Sequence, residues 1–162
     1  DRVRSASLAQ LVNVIAPIMT EPGGPAWRQT TFFPFSLTSR WAQGRAVRVP
    51  VSAPTFTSPA LGEVATVNAV ATIDDDGVSL FVVNRSTTEP TTLSVDLRPL
   101  LDDLGREMAI DEAHLLHDDD IYAANTLESP ERVGITALEA TIEDTTLRIP
   151  LPAVSWGCIR LS

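Results

Sequence analysis

With 162 residues, 44% of them apolar, the chain can bury one good core or a core with an appendage, and its composition is that of an ordinary globular domain. A net charge of −9 opposes binding to the phosphate backbone of a nucleic acid. No apolar run approaches the ~20 residues of a membrane helix, no secretory signal pattern is visible, and the single Cys158 excludes an internal disulfide.

Leu8, Leu11, Val12 and Ile15 fall at i, i+3, i+4 and i+7. This predicts a helix over residues 1–15 with one apolar face. Pro17 disfavours helix at the residue before it and ends the element there. Residues 18–20 read as a very short strand, and residues 21–25 (Glu-Pro-Gly-Gly-Pro) as a turn cluster. A second helix is expected from about Thr30 to Ala42, ended by Gly44. Phe32, Phe33, Phe35, Leu37 and Trp41 supply its apolar surface, and Pro34 is tolerable in its first turn. Helix, short strand, polar loop, helix is one unit of a βα-barrel or an open α/β sheet.

After Gly44 the pattern changes. Residues 46–51 alternate, and Pro50, Pro54 and Pro59 punctuate an irregular crossing. Val67, Ala69, Ala71 and Ile73 then alternate with Asn68, Val70 and Thr72, as a half-buried strand does. Residues 78–83 are nearly continuously apolar, which predicts a central strand buried on both faces. Between these two strands, Asp74-Asp-Asp-Gly77 is a hairpin turn signal. Alternation returns at Leu93, Val95 and Leu97, and again at Leu147, Ile149 and Leu151; residues 154–161 make the last strand. Short antiparallel strands with frequent turns predict a sandwich or jelly roll.

The stretches 10–20 (Gln-Leu-Val-Asn-Val-Ile-Ala-Pro-Ile-Met-Thr), 27–30 (Trp-Arg-Gln-Thr) and 33–35 (Phe-Pro-Phe) resemble the last barrel segment of the α-L-arabinofuranosidases of glycoside hydrolase family 51. Asn125, Thr126, Glu128, Pro130 and Val133 match a family pattern in the β-domain. Residues 151–156 (Leu-Pro-Ala-Val-Ser-Trp), with Ile159, Arg160 and Leu161, resemble its closing strand. The resemblance implies a mainly β chain: an antiparallel, jelly-roll-like β-sandwich preceded by a helix–short strand–helix remnant of a (β/α)8 barrel. The remnant occupies residues 1–46 and the sandwich residues 47–162. It also implies that both catalytic glutamates lie outside this chain, so no catalytic residue is assigned within it. The implied parent is a retaining, cytoplasmic glycosidase that acts on arabinofuranosyl-containing saccharides. Homo-oligomers are implied as well; no metal or organic cofactor, nucleic acid or membrane is. The alternative is a stand-alone carbohydrate-binding or oligomerisation module.

Gln29 and Trp27 are the candidate substrate-binding residues. Functional groups of a βα-barrel sit at the carboxy-terminal face of its strands, and the loop over residues 21–29 follows the short strand. By resemblance Gln29 occupies the position of a family glutamine that hydrogen-bonds the arabinofuranose. Trp27 either packs beside the sugar or braces the loop. The competing reading from spacing alone is that Gln29 caps the next helix and Trp27 fills a groove.

Other motifs point to less. Gly23-Gly24 lacks the Lys-Ser/Thr of a phosphate loop. His114 and His117, beside Asp118-Asp-Asp120, suggest metal ligands, but three residues apart on a strand they face opposite sides; they are expected to be exposed strand-end residues. The run at residues 74–77 lacks the spacing of a calcium loop. Most of the 21 carboxylates are expected on a solvated surface. Cys158 is expected to be a small buried hydrophobe.

Overall fold

A computed structural model describes residues 5–105 and 107–162. Its first residues, 5–15, form no helix, so the predicted first helix is corrected there; residues 1–4 lie outside the described residues. Leu11 and Ile15 are 80% and 68% exposed. An amphipathic pattern makes a stable helix only when its face is buried against something, and no described part of the chain covers this face. Gln10, Asn13 and Val14 also take positive φ, which breaks a right-handed helix. The Asn13 side chain ties the segment to the next strand: its Nδ2 donates to Thr20 Oγ1 (2.9 Å), and its Oδ1 accepts from the Thr20 amide (2.7 Å).

Strand β1 (Ile18–Thr20) pairs antiparallel with β2 (Ala26–Arg28), Ile18 opposite Arg28. The stretch read as a polar loop is therefore a hairpin, closed by the Glu21 amide donating to the Pro25 carbonyl at 3.0 Å. Helix α1 (Phe32–Trp41) follows, with Pro34 at its third residue. Gly44 has φ +75°, and a Cβ there would collide with the Ile73 carbonyl. Only glycine lets the chain turn so closely from α1 into strand β3 (Arg45–Val47). The proline-rich stretch that follows holds a small hairpin, β4 (Thr55–Ser58) with β5 (Gly62–Ala65), where an irregular crossing was expected.

The remaining elements are β6 (Val67–Ile73), β7 (Val78–Asn84), β8 (Thr91–Asp96), helix α2 (Arg98–Leu104), β9 (Ile110–Leu116), β10 (Ile135–Ala137), β11 (Thr141–Glu143), β12 (Thr146–Leu151) and β13 (Ser155–Leu161). One antiparallel sheet has the order β10-β9-β13-β7-β6-β3; a second has the order β11-β12-β8. The main core lies between them. The larger sheet contributes Val67, Ala69 and Ile73 from β6, Leu80 and Val82 from β7, and Ile159 and Leu161 from β13; the smaller contributes Leu147, Ile149 and Leu151. The last three are 0%, 0% and 1% exposed, each adding roughly 1.5–3 kcal/mol by leaving water. Two sheets facing one core make a sandwich, the mainly β class that the sequence predicts.

The other face of the larger sheet carries a second cluster. Trp41 of α1 packs on Phe81 of β7 and Cys158 of β13, with Leu37 and Trp156 alongside. This explains β7: the core sheet covers Val78, Leu80 and Val82, and α1 covers Phe81, so nearly every side chain is apolar. Between β6 and β7 the expected turn is present. There Asp74 Oδ1 accepts from the amides of Asp76 (3.0 Å) and Gly77 (2.9 Å). Arg160 of β13 donates to both Asp74 oxygens, at 2.6 and 3.0 Å, and to Ser79 Oγ at 3.0 Å.

Candidate functional site

The hairpin turns the chain back on itself, and this decides where Gln29 stands. The Gln29 amide donates to the Pro17 carbonyl at 2.8 Å, beside the start of β1. Gln29 therefore follows the carboxy-terminal end of β2, whereas the loop reading put it beyond the end of β1. Its own carbonyl accepts from the Phe32 amide at 2.9 Å as the chain enters α1. The carbonyl just before it, on Arg28, accepts from Asn125 Nδ2 at 2.8 Å. The backbone is thus held at three successive points. The Gln29 side chain is half-buried, and among the described residues its amide makes no hydrogen bond. It does not cap α1, whose N-cap, Thr31, carries no side-chain cap bond. An unspent amide can donate and accept at once, as a sugar hydroxyl requires.

Trp27, also half-buried, donates its indole Nε1–H to the Asn125 carbonyl at 3.2 Å. Its ring lines a cavity of about 600 Å³, together with Phe33, His117, Arg132 and Ile135. Gln29 is absent from that wall, so the two candidates do not share this cavity. Arg28 points its guanidinium over the rings of Phe32 (5.3 Å) and Phe33 (5.8 Å), a cation–π contact that orders the entry to α1.

Asn125 joins the hairpin to the sandwich. It is 2% exposed. Its Oδ1 accepts from the Val133 amide and its Nδ2 donates to the Val133 carbonyl, both at 2.8 Å, while the second Nδ2 hydrogen goes to Arg28. The sequence marked Asn125 and Val133 only as members of a pattern; nothing in their spacing announced a contact with Arg28.

The two histidines separate and are not the exposed strand ends expected of them. The His114 ring stacks on Trp41 (centroids 5.2 Å apart, planes at 23°), with Nε2 2.9 Å from Glu112. His117 lies 3.2 Å from Asp119. Their side chains are only 26% and 20% exposed. Arg132 pairs with Asp120 at 3.0 Å and Asp118 at 3.5 Å. No group of three His, Cys, Asp or Glu placed to hold a metal ion occurs among the described residues. The Gly24 amide is spent on the Glu21 carbonyl at 2.9 Å, which leaves Gly23-Gly24 a turn and not a phosphate cradle.

Four carboxylates are held below their ordinary values. Hydroxyl donation from Thr55 lowers Glu63, the Arg160 guanidinium lowers Asp74, the Asp120 amide lowers Asp118, and Arg98 holds Asp96 at about 2. A glycosidase general acid needs the opposite shift. Cys158 is fully buried, and burial pushes its thiol up to about 12, so it is not a poised nucleophile.

A family model for the α-L-arabinofuranosidase C-terminal domain matches residues 1–155. An exo-α-(1→6)-L-arabinofuranosidase of Bifidobacterium longum is 48% identical over 99% of this chain and 31% of its own length. An intracellular exo-α-(1→5)-L-arabinofuranosidase of Streptomyces lividans is 46% identical over 99% of this chain and 24% of its own. Among solved structures, a family 51 α-L-arabinofuranosidase from Bifidobacterium longum superposes with a TM-score of 0.91 at 45% identity, covering 99% of this chain and 31% of that one. The Xanthomonas axonopodis family 51 enzyme superposes with a TM-score of 0.85 at 26% identity, over 99% of this chain and 32% of that one. The chain thus spans under a third of the length of these curated relatives.

Proposed function

Since the chain belongs to the α-L-arabinofuranosidase C-terminal domain family, we propose that it is the carboxy-terminal part of a retaining α-L-arabinofuranosidase. The parent would remove terminal α-L-arabinofuranosyl groups from arabinan or arabinoxylan oligosaccharides. What carries this reading is the likeness along the chain's whole length to enzymes that are each more than three times as long. On this reading residues 1–46 belong to the last segment of the catalytic barrel and residues 47–162 to the sandwich that supports it. The hairpin return puts Gln29 at the carboxy-terminal end of β2, so β2 rather than β1 is the strand that presents it. Gln29 donates to and accepts from hydroxyls of the bound arabinofuranose, and Trp27 braces its strand against Asn125.

Retaining hydrolysis needs two carboxyl groups about 5 Å apart: one attacks the anomeric carbon, and the other protonates the leaving oxygen and then activates water. Both would come from the parent outside this chain. A relative is named intracellular, and we assign the parent to the cytoplasm on that ground; no described helix is long and apolar enough to cross a membrane. Assembly into a homo-oligomer is part of the proposal, and light scattering on the parent tests it.

The test of function compares the full-length parent with the 162-residue chain on p-nitrophenyl α-L-arabinofuranoside. The parent is expected to turn it over with retention, and the chain alone is expected to release no nitrophenol. Hydrolysis by the purified chain refutes the reading.

A further inference from the structure

We infer that Asn125 is a positioning residue for the sugar site: its side chain fixes the orientation of the peptide that carries Gln29. The inference rests on the proposed sugar contact of Gln29 and goes beyond it, because Asn125 lies in the sandwich portion, 97 residues from Arg28 in sequence.

The geometry is that of a peptide surrogate. The Asn125 amide pairs with both the N–H and the C=O of Val133, each at 2.8 Å, as one residue of an antiparallel strand pairs with its neighbour. That closes the turn over residues 125–133 and fixes which way the amide points. A flipped amide would set its NH2 against the Val133 N–H and its oxygen against two carbonyls. The remaining hydrogen is then aimed at the Arg28 carbonyl (2.8 Å). On the opposite edge of the same peptide plane, the Gln29 amide donates to Pro17 (2.8 Å). That peptide is held at both edges and the Gln29 carbonyl is held by the Phe32 amide (2.9 Å), so the backbone on both sides of the Gln29 Cα, and with it the direction of the Cα–Cβ bond, is set. The Trp27 indole bond to the Asn125 carbonyl keeps the same strand in register from a second point. Asn125 is 2% exposed, and its two bonds to Val133 are buried, so water does not compete for the pair that sets which way the amide points. Hydrogen-bonding groups near a reacting centre lose on the order of 100-fold in rate when displaced by about 1 Å.

The test uses the full-length enzyme and a double-mutant cycle, with kcat and KM for p-nitrophenyl α-L-arabinofuranoside expressed per folded molecule. Gln29→Ala and Asn125→Ala are each expected to lower kcat/KM by about tenfold or more. Asn125→Ala with Gln29→Ala is expected to be little worse than either alone, because the tether matters only through the amide it aims. Asn125→Ser keeps one donor and is expected to recover part of the loss. Losses that multiply in the double variant, or an Asn125→Ala enzyme that melts earlier but has unchanged kcat and KM, overturn the positioning role and leave the sugar contact standing. A Gln29→Ala enzyme with unchanged kcat/KM overturns the sugar contact, and the inference with it. If Asn125→Ala does not fold, Asn125→Ser and Trp27→Phe are read in the same cycle against Gln29→Ala, and multiplying losses there overturn the inference equally.

Discussion

Trp41→Ala tests whether α1 is a true third layer on the sandwich. Trp41 is 9% exposed and is the one buried residue of its helix. It meets Phe81 and Cys158 and stacks on His114 at 5.2 Å. Truncating a buried Trp to Ala costs about 3–5 kcal/mol in lost transfer energy and residual cavity. Loss of an aromatic stack adds about 0.5–1.5 kcal/mol. For a chain of this size each kcal/mol lowers Tm by roughly 2–4 °C, so the combined loss is expected to lower Tm by roughly 7–26 °C. Phe35→Ala is the control, since Phe35 on the same helix is 38% exposed and should cost under about 1 kcal/mol. Urea unfolding followed by circular dichroism reads both variants, with the slope m showing whether the transition stays two-state. A Trp41→Ala chain within about 1 kcal/mol of wild type would refute the packing argument. It would mean that α1 rests on the sheet without being held by it.

The Asp74–Arg160 pair predicts a specific acid sensitivity. Arg160 holds Asp74 below its ordinary value near 3.8, so the carboxylate is favoured in the fold relative to the unfolded chain. The stabilisation is complete above that ordinary value and is lost as pH falls through the lower folded one. Melting temperatures measured from pH 5 down to pH 2 should therefore drop less steeply for Asp74→Asn than for wild type; parallel curves would exclude the pair as a contributor. Cys158, with its thiol pushed up to about 12, should ignore a thiol reagent at pH 8 and react once urea is added. Stoichiometric labelling of the native chain would contradict its burial.

The strands of the sandwich core were legible because a sheet face imposes a period of two. Val67, Ala69, Ala71 and Ile73 are buried, while Asn68 and Val70 are exposed, as the alternation predicts. The doubly buried run at β7 was equally plain. The helix over residues 1–15 failed because periodicity states only what a segment would bury, and Leu11 and Ile15 find nothing to bury against among the described residues. Helix α2 was overlooked: about two turns starting with Arg98-Pro99 are too short to show a period. Strand β2 was hidden in a turn-rich stretch, since Ala26, Trp27 and Arg28 carry no alternation over so short a span. That omission moved Gln29 from one end of the hairpin to the other. The proposed site was legible only as candidate residues. Resemblance singled out Gln29 and Trp27, but the Asn125 contact joins positions 97 residues apart, and no local pattern encodes a partner at that distance.

Two of the contacts that join the hairpin–helix portion to the sandwich, through Trp41 and through Asn125, differ in kind. Trp41 fastens α1 chiefly through apolar contact, which is strong but less directional than a hydrogen bond. Asn125 fastens β2 through hydrogen bonds, which add less net energy but weaken steeply when bent. In its proposed role as a sugar contact, the Gln29 amide needs angular precision at one peptide more than it needs additional stability. The chain places its directional bonds at that peptide, on Arg28 and Gln29, and leaves the apolar fastening 12 residues beyond Gln29, at the far end of α1. This division of labour is why stability and sugar affinity should respond separately to Trp41→Ala and to Asn125→Ala. The first should lower Tm with little change in the KM of the surviving enzyme, and the second should move KM or kcat by more than its Tm would suggest.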